Sequence, residues 1–147
     1  MATTSSLYAG GGQSLVRLIV LSSSGTWSPP WDCKAIVTVI GAGGGGGSMN
    51  IQGTNWGAAA GTGGGAGGLS QSYVDLKVAT TYTLVVGAAG TAGYTHYDGV
   101  NTAAGAGGLS SFTDGGSVIT QMVGNGGGLG LGARIHSTLR AGGTGGT

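Results

Sequence analysis

The stretch KAIVTVIGAGGGGGSMNIQGTNWGAAAGTGGGAGG (residues 34–68) decides how this chain can fold. Its first seven residues, KAIVTVI, are mostly apolar and β-branched, the clearest strand-like run in the sequence. The residues after Ile40 are dominated by glycine. Of the 37 glycines in 147 residues, 33 lie from Gly41 onward, so the character of this stretch continues to the end. Glycine at about a quarter of the chain, against a usual ~7%, fits either a flexible linker or an ordered glycine scaffold. Local spacing favours the scaffold.

Two regularities point that way. AGGLS occurs at residues 66–70 and again at 106–110, each time followed by an aromatic residue and an aspartate. Glycine block then strand is thus a repeated unit. Within the blocks, glycine recurs at every third position: Gly41, Gly44, Gly47; Gly61, Gly64, Gly67; Gly87, Gly90, Gly93; Gly124, Gly127, Gly130. An extended left-handed helix of the polyproline II type has three residues per turn and no internal hydrogen bonds. Glycine at every third position strips one face of side chains, so several such segments can approach and bond backbone to backbone. That bonding needs N–H groups, and no proline follows Pro30. Collagen is excluded, because the Gly-X-Y register never persists and the chain has two prolines.

The remaining segments read as strands and turns. Residues 1–14, small and polar, read as an N-terminal arm; residues 15–147 read as one glycine-rich β domain. LVRLIVL (15–21), KAIVTVI (34–40), LSQSYVDLKV (69–78) and TTYTLVV (80–86) are strands, and the short connection between the last two suits a hairpin. LSSFTDGGSVITQMV supplies two short strands around Asp114-Gly115-Gly116. The expected fold is mainly β, a small β-sandwich-like domain with glycine-rich extended segments and little or no helix. Ordering a backbone costs roughly 1–2 kcal/mol per residue, with glycine at the costly end. A net ~1 kcal/mol per hydrogen bond barely offsets that. With few large hydrophobes to contribute the rest, a homo-oligomer is expected.

Composition excludes several function classes. The net charge is +1 and the five Lys and Arg residues are scattered singly, so no stripe exists to neutralise phosphates, and nucleic acid is not expected as a partner. The longest apolar run, residues 15–21, contains Arg17 and is too short to span a bilayer as a helix, so membrane insertion is not expected. No basic residue precedes it, so a secretory leader is not expected and synthesis inside a cell is. Cys33 is the one cysteine, which rules out an internal disulfide and makes it a small buried hydrophobe.

No catalytic constellation is legible. The chain has no glutamate, its four aspartates are far apart, and nothing orients His96 or His136 beside a nucleophile; no enzyme, no cofactor and no metal are expected. GAGGGGGS after a strand imitates a phosphate-binding loop, but the Lys-Ser/Thr pair and the following helix are missing. The chemistry that remains sits in the interruptions of the glycine blocks. Asn55 and Trp56 interrupt the first, Tyr94, His96, Tyr97 and Asp98 the second, and Arg134, Ile135 and His136 the third. Tyrosine and tryptophan offer contact area at low entropic cost, and Asn and Asp add hydrogen bonds. The plain alternative is a set of turns whose aromatics pack on neighbouring blocks. The contact reading makes Asn55, Trp56, Tyr94, His96, Tyr97 and Asp98 the candidate site, on loops projecting from a shared scaffold.

SSSGTW (22–27), KAIVTVIGAGGGGG (34–47), TTYTLVVGAAG (80–90), GAGGLSSF (105–112) and the closing glycine blocks, in that order, resemble the glycine-rich domain of tailed-bacteriophage tail fibres and related virion proteins. The resemblance covers roughly residues 20–147, and departs from that family at PPWDC (29–33), where the family has a Pro-Ala-Gly-type turn. It implies a non-enzymatic fibre or appendage component of the virion, assembled in the host cytoplasm and often homotrimeric. Its partners would be other virion proteins and a host cell-surface glycan or outer-membrane protein. Two other readings are a purely architectural virion protein, such as a head decoration or fibre shaft, and an ice-binding protein with a flat Thr/Ala face.

Overall fold

A computed structural model describes residues 2–7, 16–50, 61–95, 101–115, 121–134 and 143–147. Among these the secondary structure is all strand. β1 (Ala2–Leu7) and β2 (Val16–Leu21) pair antiparallel, so the arm contributes a strand of its own. β3 (Gly25–Trp27), β4 (Cys33–Ile40), β5 (Met49–Asn50), β6 (Leu69–Leu76) and β7 (Tyr82–Val85) come next. The chain continues with β8 (Tyr94–Thr95), β9 (Asn101–Thr102), β10 (Ser110–Thr113), β11 (Met122–Gly124) and β12 (Ala133–Arg134).

Two antiparallel sheets form the sandwich. β4 pairs with β6 in register from Cys33 opposite Leu76 to Ile40 opposite Leu69. The second sheet has the order β11-β10-β7-β3. Alternation in β4 turns Cys33, Ala35, Val37 and Val39 inward. They meet a core of Val74, Leu76, Tyr82, Phe112 and Met122, with Trp27 and Leu84 at its margin. The Tyr82 ring stacks on Phe112 at 5.1 Å, and its hydroxyl accepts the Lys77 N–H at 3.0 Å, so the buried phenol is satisfied.

The hairpin expected between the 69–78 and 80–86 runs does not form. β6 pairs with β4, whereas β7 pairs with β10 and β3, so the connection carries the chain from one sheet to the other. Both strands carry core residues, Val74 and Leu76 on β6 and Tyr82 on β7, and facing sheets bury these on both sides of one core. The crossing is closed by Thr80 N–H donating to the Lys77 carbonyl and pinned by Asp32, which accepts the Val78 N–H at 2.8 Å and Lys77 Nζ at 3.1 Å. The turn after β10 is as the sequence suggests: Gly115 sits at φ 84°, where a side chain would be strained.

The glycine blocks leave the sandwich on one side and run as six extended segments: 41–48, 61–68, 87–93, 103–109, 124–132 and 143–147. Their backbone hydrogen bonds repeat every third residue. Gly41, Gly44 and Gly47 donate to the carbonyls of Gly68, Gly65 and Thr62; Thr62, Gly65 and Gly68 donate in turn to Leu131, Gly128 and Asn125. Segment 41–48 is central. It also donates to 103–109 through Ala42 and Gly45, and accepts from 87–93 and 124–132 at the carbonyls of Gly43, Gly46, Ala42 and Gly45. The pattern is two layers of three: 87–93, 41–48 and 61–68 above, 103–109, 124–132 and 143–147 below. The spacing is why glycine is required at the interior positions. A Cβ on Gly44 would fall on the carbonyl of Gly128, and one on Gly45 on that of Thr91.

Candidate functional site

The direction of each segment is fixed by its partners. Bonds from 41–48 to 61–68 join residues whose numbers rise in one and fall in the other, so these two are antiparallel. The same holds for 87–93 with 103–109 and for 124–132 with 143–147. Segments 87–93 and 124–132 run parallel to 41–48: Gly90 and Gly93 donate to Gly43 and Gly46, and Gly127 and Gly130 to Ala42 and Gly45. The six segments are therefore three hairpins that leave the sandwich in one direction and return. In all three the described outgoing arm ends, and the described returning arm begins, at the end of the bundle far from the sandwich.

At that end one short ladder ties two hairpins together and a second joins the arms of the third. β5 pairs parallel with β12, Met49 opposite Ala133 and Asn50 opposite Arg134. β8 pairs antiparallel with β9, Tyr94 opposite Thr102 and Thr95 opposite Asn101. Of the candidate contact residues, Tyr94 is on β8 with 63% of its surface exposed. Asn55, Trp56, His96, Tyr97 and Asp98 lie outside the described residues. The stretches that contain them, 51–60 and 96–100, are entered and left at this same end, from β5 and segment 61–68 and from β8 and β9. A third stretch, 135–142, leaves β12 there and re-enters at segment 143–147. The structure thus brings together, at one end of the bundle, the described residues that flank the three interruptions of the glycine blocks.

Arg134 belongs with this group although it is not among the contact candidates that the sequence singles out. The signal for it is the same: a polar residue interrupting glycine. Among the described residues, no group of three or more His, Cys, Asp or Glu side chains could hold a metal. The ionisable groups that are clearly shifted lie at the sandwich, remote from the tip. The Val78 N–H and then the Lys77 ammonium hold the Asp32 carboxyl below its ordinary value, and Asp32 holds Lys77 above its own. Cys33 is half-buried against the core.

Residues 20–147 match the family described as Glycine-rich domain. The chain belongs to the glycine-rich domain family. The match begins within β2 and takes in both sheets and all six glycine segments, leaving out β1. No curated protein and no solved structure matches the chain.

Proposed function

We propose that this chain is a structural protein of a tailed-phage virion, a tail-fibre or tail-tip component whose glycine bundle presents recognition loops to the host surface. The observation that carries the reading is that the chain enters and leaves all three glycine-flanked interruptions at one end of the bundle, opposite the sandwich. A rigid scaffold with side-chain-rich stretches at one tip is the division of labour that binding proteins use. The interruptions supply what a glycine bundle lacks. Trp56, Tyr94 and Tyr97 bring aromatic area, and Asn55, His96 and Asp98 bring donors and acceptors suited to a glycan or an outer-membrane protein. The ordered motifs that resemble phage fibre domains supply the setting. The chain is read as binding without catalysing, in a homo-oligomer attached to other virion proteins through the sandwich end.

Two experiments test this. Gold-labelled antibody against the chain is expected on the tails of intact particles; label on heads alone would favour head decoration. Phage carrying Trp56→Ala, Tyr94→Ala and Tyr97→Ala together is expected to assemble normally and to lose host adsorption by ~10-fold or more, since a buried aromatic contact of this kind is worth upwards of one power of ten in affinity. Normal adsorption by the triple variant removes the contact role from these residues.

A further inference from the structure

β4 and β6 carry large apolar side chains on both faces. The inner face makes the core. On the outer face Ile36 stands opposite Tyr73 and Ile40 opposite Leu69, exposed by 68, 65, 61 and 63% respectively. Between these pairs Gln71 donates from Nε2 to Thr38 Oγ1 at 2.9 Å. At the far margin the ammonium of Lys34 lies 3.6 Å from the Asp75 carboxylate. Together these four exposed side chains, two pairs on either side of Thr38 and Gln71, reach the size of the largest apolar patches on monomers, about 300–600 Å², which are often functional.

This face does not stop at Ile40. β4 runs directly into segment 41–48, and β6 is entered from 61–68. The inner side of β4 packs on β10 and β11, and the inner side of 41–48 bonds to 103–109 and 124–132, the neighbours of those same strands. The open side of 41–48 and 61–68 therefore continues the outer face of β4 and β6. There the glycines are of a different kind. A Cβ on Gly63 would meet nothing within 4 Å, and on Gly43 and Gly46 only single carbonyls at 3.7 and 3.8 Å. The protein's own packing does not require glycine at these three positions, and glycine there costs backbone entropy. Among the described residues the N–H groups of Gly43 and Gly46 have no acceptor, unlike those of Gly41, Ala42, Gly44, Gly45 and Gly47.

We infer that this continuous face, from Ile36 and Tyr73 through Gly43, Gly46 and Gly63, is covered by the same face of a second copy of this chain. Three properties identify the occupant. The face is electrically neutral, because Lys34 and Asp75 neutralise one another, so two identical faces meet without repulsion. Its glycine half offers bare backbone with free donors, and what bonds bare extended glycine best is another row of it, which a second copy carries. Its area suffices. Eight strand residues span about 26 Å and eight extended residues of a glycine segment about 25 Å, at a width of roughly 10 Å for two chains. Each copy then contributes on the order of 500 Å², and the pair about 1,000 Å², the lower end for a specific interface.

The inference fixes which surface self-associates, and stands apart from what the tip binds. Sedimentation equilibrium of the full chain is expected to show a dimer or larger assembly. The variant Ile36→Glu/Tyr73→Glu is expected to sediment as a folded monomer. Gly43→Asp, whose side chain has room in the isolated chain, is expected to raise the dissociation constant by ~10-fold or more. Leu109→Glu, in the lower layer, should leave the mass unchanged. A monomeric parent chain at a loading of order 10⁻⁴ M overturns the inference. So does undiminished association of either face variant, with circular dichroism confirming that it is folded. Loss of tip aromatics should change adsorption and leave the mass alone, so failure of this interface and failure of the recognition reading are told apart.

Discussion

The sandwich and the glycine bundle solve the same problem with opposite means. In the sandwich, side chains exclude water: Val39, Val74, Leu76, Tyr82, Phe112 and Met122 interdigitate between two sheets, and the backbone ladders complete the layers. In the bundle nearly no side chains exist to bury. Cohesion comes from carbonyls and N–H groups brought within 2.6–3.1 Å of each other, and from chains packed so closely that a single methyl would not fit. The difference teaches where each half is fragile. A core tolerates a smaller side chain at the expense of a cavity. Within one chain the bundle tolerates no side chain at its interior third positions and has room for one at its open positions.

The largest expected effect comes from that contrast. Gly44→Ala places a Cβ on the Gly128 carbonyl, with backbone on both sides and no flexible atom to yield. We expect it to abolish cooperative unfolding of the bundle, whereas Gly43→Ala, one residue away, should melt close to its parent when both are made in the monomeric Ile36→Glu/Tyr73→Glu chain. Equal melting of the two variants would break the distinction between interior and open glycines. Next in size is Phe112→Ala, which removes the ring stacked on Tyr82 and should cost ~3–5 kcal/mol in chemical denaturation. A loss below ~1 kcal/mol would mean that side-chain burial matters as little in the sandwich as in the bundle.

The smallest effect concerns the exposed crossing between sheets. The carboxyl of Asp32 is held below its ordinary 3.8 by the Val78 N–H and by Lys77. Its contribution is therefore complete above that value and fades as pH falls through the lower folded value. Lys77, held above its ordinary 10.5, loses its share only as pH rises through that higher value. Melting temperature should fall slightly more steeply below pH 3.8 in the parent than in Asp32→Asn, with no difference between the two slopes near neutrality. A slope of equal size in both would remove Asp32 from the account.

Much of this was legible in the residues. KAIVTVI became β4 almost to the residue, because a run of five β-branched residues, Ile36 to Ile40, leaves few other options. The period of three at Gly41, Gly44 and Gly47 reappears as donors to a single neighbour, since three residues make one turn of an extended helix. The pairing of strands was not legible. β6 and β7 look like a hairpin locally, and only the shared core of Tyr82 with Val74 and Leu76 separates them into two sheets. The tip was half legible. The three interruptions stood out, but that the segments flanking them end on one side depends on the parallel or antiparallel sense of each segment, which composition does not encode.

Amide hydrogen exchange across residues 41–48, measured on the Ile36→Glu/Tyr73→Glu chain so that self-association contributes nothing, tests the central claim most directly. The backbone-bonded bundle predicts slow exchange at Gly41, Ala42, Gly44, Gly45 and Gly47 and fast exchange at Gly43 and Gly46. Uniformly fast exchange, or protection without that period of three, would contradict it.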